Sequence, residues 1–164
     1  MTFKAQNEIF IVEFLGNLGP LCKGQFNEVQ RIVELIEDKN PKDSYGEAPL
    51  HDATNKGHCE ICQLILENVK DKNPKRVDGS TPLHVAAFKG HSEICLLIIK
   101  NVKDKNPKDI NGLTPLHYAA RTGQLEICKL IRRNVEDKNP MDRNGETPSD
   151  WATQFGHFNV AQIF

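Results

Sequence analysis

Apolar positions along this chain fall into two short helical patterns that alternate, and the pair returns every 33 residues. One pattern opens at Thr81-Pro82-Leu83-His84. A hydroxyl before proline suits a helix start, because it can cap free N–H groups while proline gives up an N–H that would have no partner. Ala86 and Ala87 are small enough for a neighbouring helix to approach closely, and Gly90 supplies the positive φ that ends this first helix. The second pattern begins at about Ser92, where Ile94, Cys95, Leu97 and Ile98 lie three and four apart on one helical face. Asn101 is the expected left-handed cap of that helix. The polar stretch from Asp104 to Gly112, marked by proline and glycine, reads as a returning β-turn or hairpin. The unit is helix, turn, helix, extended turn.

Four registers keep this period. Asp-Lys-Asn-Pro begins at Asp38, Asp71, Asp104 and Asp137; glycine recurs at Gly46, Gly79, Gly112 and Gly145, and again at Gly57, Gly90, Gly123 and Gly156; proline recurs at Pro49, Pro82, Pro115 and Pro148. These define full units at 43–75, 76–108 and 109–141, a shortened unit at 142–164, and a degenerate N-terminal capping unit within 1–42. In that first segment Gly24 keeps the register of Gly57, and Glu28-Val29 to Ile36 echoes the later second helices. A stacked unit is stabilised by its neighbours, so a terminal one needs a polar outer face. Glu28, Gln30, Arg31 and Glu34 supply it here.

Composition narrows the picture further. With 21 Lys+Arg against 22 Asp+Glu in 164 residues, the net charge of −1 argues against a nucleic-acid partner. A chain that is 38% hydrophobic and 26% charged is globular rather than disordered. The apolar stretch from Ile9 to Leu15 is interrupted by Glu13 and lacks the flanks of a signal peptide, and no run reaches the ~18 apolar residues of a membrane span. Five cysteines are an odd number, and Cys62, Cys95 and Cys128 share one phase, as small buried hydrophobes do. The expectation is an intracellular protein with free thiols, cytoplasmic or nuclear or both.

The pattern Gly79-Ser80-Thr81-Pro82-Leu83-His84-Val85-Ala86-Ala87, repeated as Gly112-Leu113-Thr114-Pro115-Leu116-His117-Tyr118-Ala119-Ala120, resembles the ankyrin repeat. The resemblance is strong over 43–164 and weaker over 9–42. It implies an all-α ankyrin-repeat solenoid of stacked helix-turn-helix units with β-turn or hairpin loops. It also implies a binding module rather than an enzyme. In the family an Asn at the phase of Asn73, Asn106 and Asn139 can be hydroxylated by an oxygen-sensing dioxygenase. Two departures bear on stability. Ala48 replaces the capping Thr of the first full unit, at an expected cost of about 1 kcal/mol. Ser149-Asp150 replaces Leu-His in the last unit, where an acid in the first turn suits the helix dipole.

Other chemistry is weakly signalled. Cys59 and Cys62 form a Cys-x2-Cys, but no second pair stands at zinc-ligand spacing, and no metal or cofactor is expected. His51, His84 and His117 recur on first turns of helices, where a ring can bond loop backbone and hold units in register. His58, His91 and His157 follow the helix-ending glycine as turn residues. The Lys-rich loops, such as Lys103 to Lys108, interleave Asp and read as a solvated turn face. An active site needs unlike groups converging once, and no nucleophile–base pair, phosphate loop or acid pair is present, so no catalytic residue is expected.

Function is expected where the units differ. Val77, Ile110 and Leu113 at turn tips, with Phe88 and Phe155 on first helices, are apolar at places where exposure is expected. Lys89 and Arg121 stand beside them, and Tyr118 and Trp151 occupy equivalent places that serve either this patch or packing between units. Apolar and aromatic anchors beside arginine have the composition of a protein-interface hot spot. The sequence therefore points to a monomeric, non-enzymatic module that binds another protein on its concave, hairpin-side surface, as a stoichiometric inhibitor or adaptor. The alternative is a structural spacer or a fragment of a larger ankyrin scaffold.

Overall fold

A computed structural model describes Gln30 and residues 40–164 of the chain. Gln30 is helical and exposed; the remainder of the proposed N-terminal cap, including Glu28, Arg31 and Glu34, lies outside the described residues. Among the described residues there are eight helices, arranged in four pairs, and no strands. They are α1 Pro49–Asn55 with α2 Cys59–Asn68, α3 Pro82–Lys89 with α4 Ser92–Asn101, α5 Pro115–Arg121 with α6 Leu125–Arg132, and α7 Pro148–Gln154 with α8 Phe158–Ala161. First helices pack on first helices in the order α1, α3, α5, α7, and second helices follow in a parallel row α2, α4, α6, α8.

One core runs between the two rows. The alanines Ala53, Ala86, Ala119 and Ala152 are wholly buried, which lets consecutive first helices approach closely. Ile61, Ile65, Ile94, Ile98, Ile127 and Ile131 close the other side from the second helices. Cys62, Cys95 and Cys128 are free thiols with no exposure, and burial pushes each up to about 12, so they pack as apolar groups.

Three of the four first helices are started by a histidine, and in the second and third full units that histidine also holds the next unit. The backbone N–H of Ala48, Thr81 and Thr114 donates to Nδ1 of His51, His84 and His117 at 3.1, 3.1 and 3.0 Å. The hydroxyls of Thr81 and Thr114 lie 3.0 Å from the same ring nitrogens. A ring nitrogen that accepts from a backbone N–H carries no proton, so the proton of the neutral ring sits on Nε2. From there His84 donates to the carbonyl of Leu113 and His117 to that of Glu146, each at 3.1 Å and 29 residues ahead. Ser80 is the equivalent residue for His51 and its backbone is close enough to act on the ring, but Nε2 of His51 makes no regular hydrogen bond among the described residues. In the last unit Asp150 takes the histidine's place, accepting from the N–H and hydroxyl of Thr147 at 2.8 and 2.7 Å. It does more than suit the helix dipole: it completes the cap.

Turn tips are joined by backbone. Val77 N–H donates to the Tyr45 carbonyl, Ile110 N–H to Asp78 and Arg143 N–H to Asn111, each at 2.9 Å. This approach requires glycine at Gly79: its φ is +78°, and a Cβ there would stand 3.0 Å from the Ile110 nitrogen. On the opposite edge Asn73 and Asn106 donate to the carbonyls of Asp104 and Asp137 at 3.5 Å.

The left-handed cap expected at Asn101 is not formed. Asn101 is the last helical residue and Val102 after it is extended, with φ −107°. The reason is that the Asn101 amide donates to the Leu97 carbonyl at 3.0 Å and satisfies a terminal acceptor without a chain reversal. Asn68 and Asn134 do the same to Leu64 and Leu130. Positive φ among the described residues is confined to glycine, including Gly90 at 83°.

Three outcomes follow for stability. His84→Ala is expected to cost more than His51→Ala, by about 1 kcal/mol, because only His84 loses an inter-unit hydrogen bond; urea unfolding of the two variants compares them. Ala48→Thr is expected to stabilise the chain by about 1 kcal/mol, seen as a rise of a few degrees in Tm. The third concerns pH. Burial pushes His51 down to about 3 and His84 to about 4 and lowers His117, so the folded state binds fewer protons than the unfolded one. Stability is therefore full above the ordinary histidine value near 6.5 and falls as pH drops from there toward 4, by up to about 1.4 kcal/mol per pH unit per histidine. A urea midpoint that is flat from pH 7 to 5 would contradict this.

Candidate functional site

First helices and turn tips share one side of the array, and the side chains that the sequence singled out separate there into two rows. The tip row consists of Val77 and Ile110, which are 75% and 50% exposed, together with Tyr45 at 72%. Tyr45, Val77 and Ile110 line a cleft of about 470 Å³ with Glu47, Arg76 and Asp78. Leu113 does not belong to this exposed row. It is half-buried, because its backbone is drawn in by the His84 bond to its carbonyl and by the Asp109 carboxylate, which accepts from its N–H at 2.8 Å.

The helix row is continuous across three units. Phe88 on α3 is exposed and meets the half-buried Tyr118 on α5 edge to face, with ring centroids 6.3 Å apart. One turn further along α5, the exposed Arg121 reaches to α7, where its guanidinium lies 5.1 Å from the Phe155 ring centroid and 5.7 Å from that of Trp151. Trp151 and Phe155 are stacked at 6.0 Å with 12° between their planes. Edge-to-face and cation–π contacts of this kind hold the side chains in place while leaving their outer surfaces in solvent. Lys89 is exposed at the end of α3.

The two equivalent aromatics are positioned by the turns. Asp109 accepts from the N–H groups of Asn111 and Leu113 through Oδ1, which leaves Oδ2 to take the Tyr118 hydroxyl at 3.1 Å. Asp142 accepts from Asn144 and Glu146 in the same way, and its Oδ2 takes the Trp151 indole N–H at 3.3 Å. Partial desolvation acts to raise Asp142, but these donors outweigh it and hold the carboxyl below the usual range. For Tyr118, desolvation and the adjacent Asp109 push the phenol upward, so its proton stays in the bond. Tyr118 and Trp151 lock the turn to the helix inside a unit, and both also pack on the preceding unit, Tyr118 against His84 and Phe88 and Trp151 against His117.

Two features escaped the sequence reading. Tyr45 was visible as a tip residue but stood apart from the apolar cluster in the chain; only the bond between its carbonyl and Val77 places it beside the others. The second is Arg76, which stands where the other units carry the turn aspartate and pairs with Glu47 of the preceding unit. Asp78 takes over the turn by accepting from the N–H and hydroxyl of Ser80 at 2.9 and 2.6 Å. The signal was available: Val85, nine residues after Arg76, is also the one place in the three later units without an aromatic donor.

Cys59 and Cys62 do not form a ligand set. Cys59 is half-buried, Cys62 is fully buried against the Thr54 hydroxyl at 3.6 Å, and no group of three or more His, Cys, Asp or Glu among the described residues is placed to hold a metal ion. None of the described helices is long and apolar enough to cross a membrane. Among curated proteins no relative matches the chain. The family of ankyrin repeats, in three copies, matches residues 21–109 and 101–164. Together with the paired helices, the 33-residue registers and the histidine-linked turns, this match shows that the chain belongs to the ankyrin-repeat family, whose members are generally protein–protein interaction modules and typically not enzymes.

Proposed function

We propose that this chain is a monomeric, non-catalytic module that recognises a partner protein across its concave, hairpin-side surface, acting as a stoichiometric inhibitor or adaptor. The observation that carries this reading is the aromatic and arginine band from Phe88 through Tyr118 and Arg121 to Trp151 and Phe155. Phe88 and Phe155 stay 39% and 45% exposed at the two ends of this band, joined through Tyr118, Arg121 and Trp151. Scattered exposed hydrophobes are ordinary on a protein surface, but a contiguous aromatic set with arginine is the composition of binding hot spots. Val77, Ile110 and Lys89 extend the contact surface around it, and Leu113 contributes its half-buried edge.

The mechanism is preorganisation. Turn tips tied by backbone bonds and first helices tied by histidines hold the band in one arrangement before binding, so little ordering entropy is lost on association. Recognition by such a surface depends on shape and on a few anchors rather than on movement.

Replacing Phe88, Arg121 and Phe155 together by Ala is expected to remove proteins that the intact chain captures from a cell extract. Because these side chains stand at the surface, the circular dichroism melt is expected to shift by only about 4 °C or less. An unchanged set of captured proteins would overturn this reading.

A further inference from the structure

Charges on the hairpin-side face are unevenly paired, and the unpaired ones state what kind of segment fits it. Its carboxylates gather at the turn-tip end and are occupied there. Asp43, Asp109 and Asp142 accept from turn amides, Asp78 from Ser80, and Asp150 from Thr147, while Glu47 pairs with Arg76. Glu146 alone among the acids of the later tips keeps a carboxylate with no partner in the described residues. Cations stand at both ends: Arg76, paired with Glu47, and the exposed Arg143 at the tips, and a further set at the far ends of the first helices. Lys56 follows α1, Lys89 is the last residue of α3 and Arg121 the last of α5. Lys56 bridges Asp52 at 3.7 Å, whereas Lys89 and Arg121 have no carboxylate or hydrogen-bond partner among the described residues.

Arg121 is the more specific of the two. Its guanidinium carbon stands over the Phe155 and Trp151 rings, which engages the charge while its N–H donors keep no acceptor among the described residues. A stacked guanidinium has already lost much of its rotamer freedom, and its donor fork matches the two oxygens of a carboxylate. Apolar surface lies immediately beside it on Phe88 and Tyr118. A nucleic-acid backbone would need a longer basic stripe than two cations interleaved with aromatics, and the net charge of −1 gives it no long-range attraction.

We propose that the partner segment seated on this band is acidic as well as apolar: an Asp or Glu side chain is clasped by Arg121 with Lys89 alongside, and a neighbouring apolar side chain packs against Phe88, Tyr118 and Phe155. The proposal rests on the hairpin-side face being the binding face, and it adds the orientation, with the acidic residue toward the ends of α3 and α5 and away from the turn tips.

The test is a random peptide display library of 16-residue segments, on the order of one array face in length, selected on the full chain. Selected peptides are expected to carry Asp or Glu within a few residues of Leu, Phe or Trp. Their affinity is expected to fall about tenfold or more for Arg121→Gln, as for loss of a charge-assisted hydrogen bond, and to weaken with added salt. Arg143→Gln at a turn tip is expected to change affinity less than about twofold, since it lies at the other end of the face. Peptides without acidic enrichment, or binding equally to Arg121→Gln, would overturn the acidic-segment proposal. If those peptides still lose affinity on Phe88→Ala and Phe155→Ala, the binding face itself survives; if neither change matters, that reading falls too. A library that yields no binder counts against the acidic segment.

Discussion

The array depends on one two-sided contact. A buried imidazole accepts the N–H that precedes its own helix through Nδ1 and donates from Nε2 to a carbonyl of the following unit. In the second and third full units, helix initiation and unit stacking are thereby made by the same side chain. Burial enforces the neutral ring, and the neutral ring has one donor and one acceptor, which is the pair that the two tasks require. The exceptions obey the same logic. His51 caps its helix but makes no regular hydrogen bond from Nε2 among the described residues, and Asp150, with two acceptor oxygens and no proton to give, stands in the fourth unit, where the cap is still needed.

The consequence for function is rigidity at the surface. Because each turn carboxylate has a second oxygen, Asp109 and Asp142 can tie Tyr118 and Trp151 down while their first oxygens hold the turn. The aromatic band is thus built outward from the turns: aspartate fixes tyrosine or tryptophan, those rings meet Phe88 and Phe155, and the rings of α7 seat Arg121. The second unit, with Arg76 and Val85 in place of this pair, contributes Phe88 and no ring of its own at that position. The tied aromatic surface is therefore concentrated at the junctions of the last three units.

Most of the fold was legible because its signals are local and recur in phase. Proline at the first helical position, glycine after the first helix and the 33-residue clock each state a backbone requirement, and repetition separates them from chance. The errors arose where a side chain had two ways to satisfy one need. Asn101 tolerates the left-handed region, but its amide reaches the Leu97 carbonyl directly, and the sequence does not say which it does. Leu113 was read as exposed from its place at a tip, while a bond to its carbonyl from the preceding unit, a non-local fact, draws it inward. For the same reason Tyr45 was not set beside Val77 and Ile110, with which it lines the tip cleft.

The central claim is that binding lies on the band formed by the first helices of the second and third full units and of the shortened last unit. Trp151 is the single tryptophan of the chain, and its indole N–H is already committed to Asp142, so it reports on this place alone. The direct measurement is a nitrogen–proton NMR titration of the chain with a bound partner, following the Trp151 indole signal and the backbone amides together. The account predicts that the indole signal and the amides at the ends of α3, α5 and α7 move with one common affinity, while amides on the outer sides of α4 and α6 stay in place. A partner that binds with the Trp151 signal unmoved and the second-helix amides displaced would contradict it.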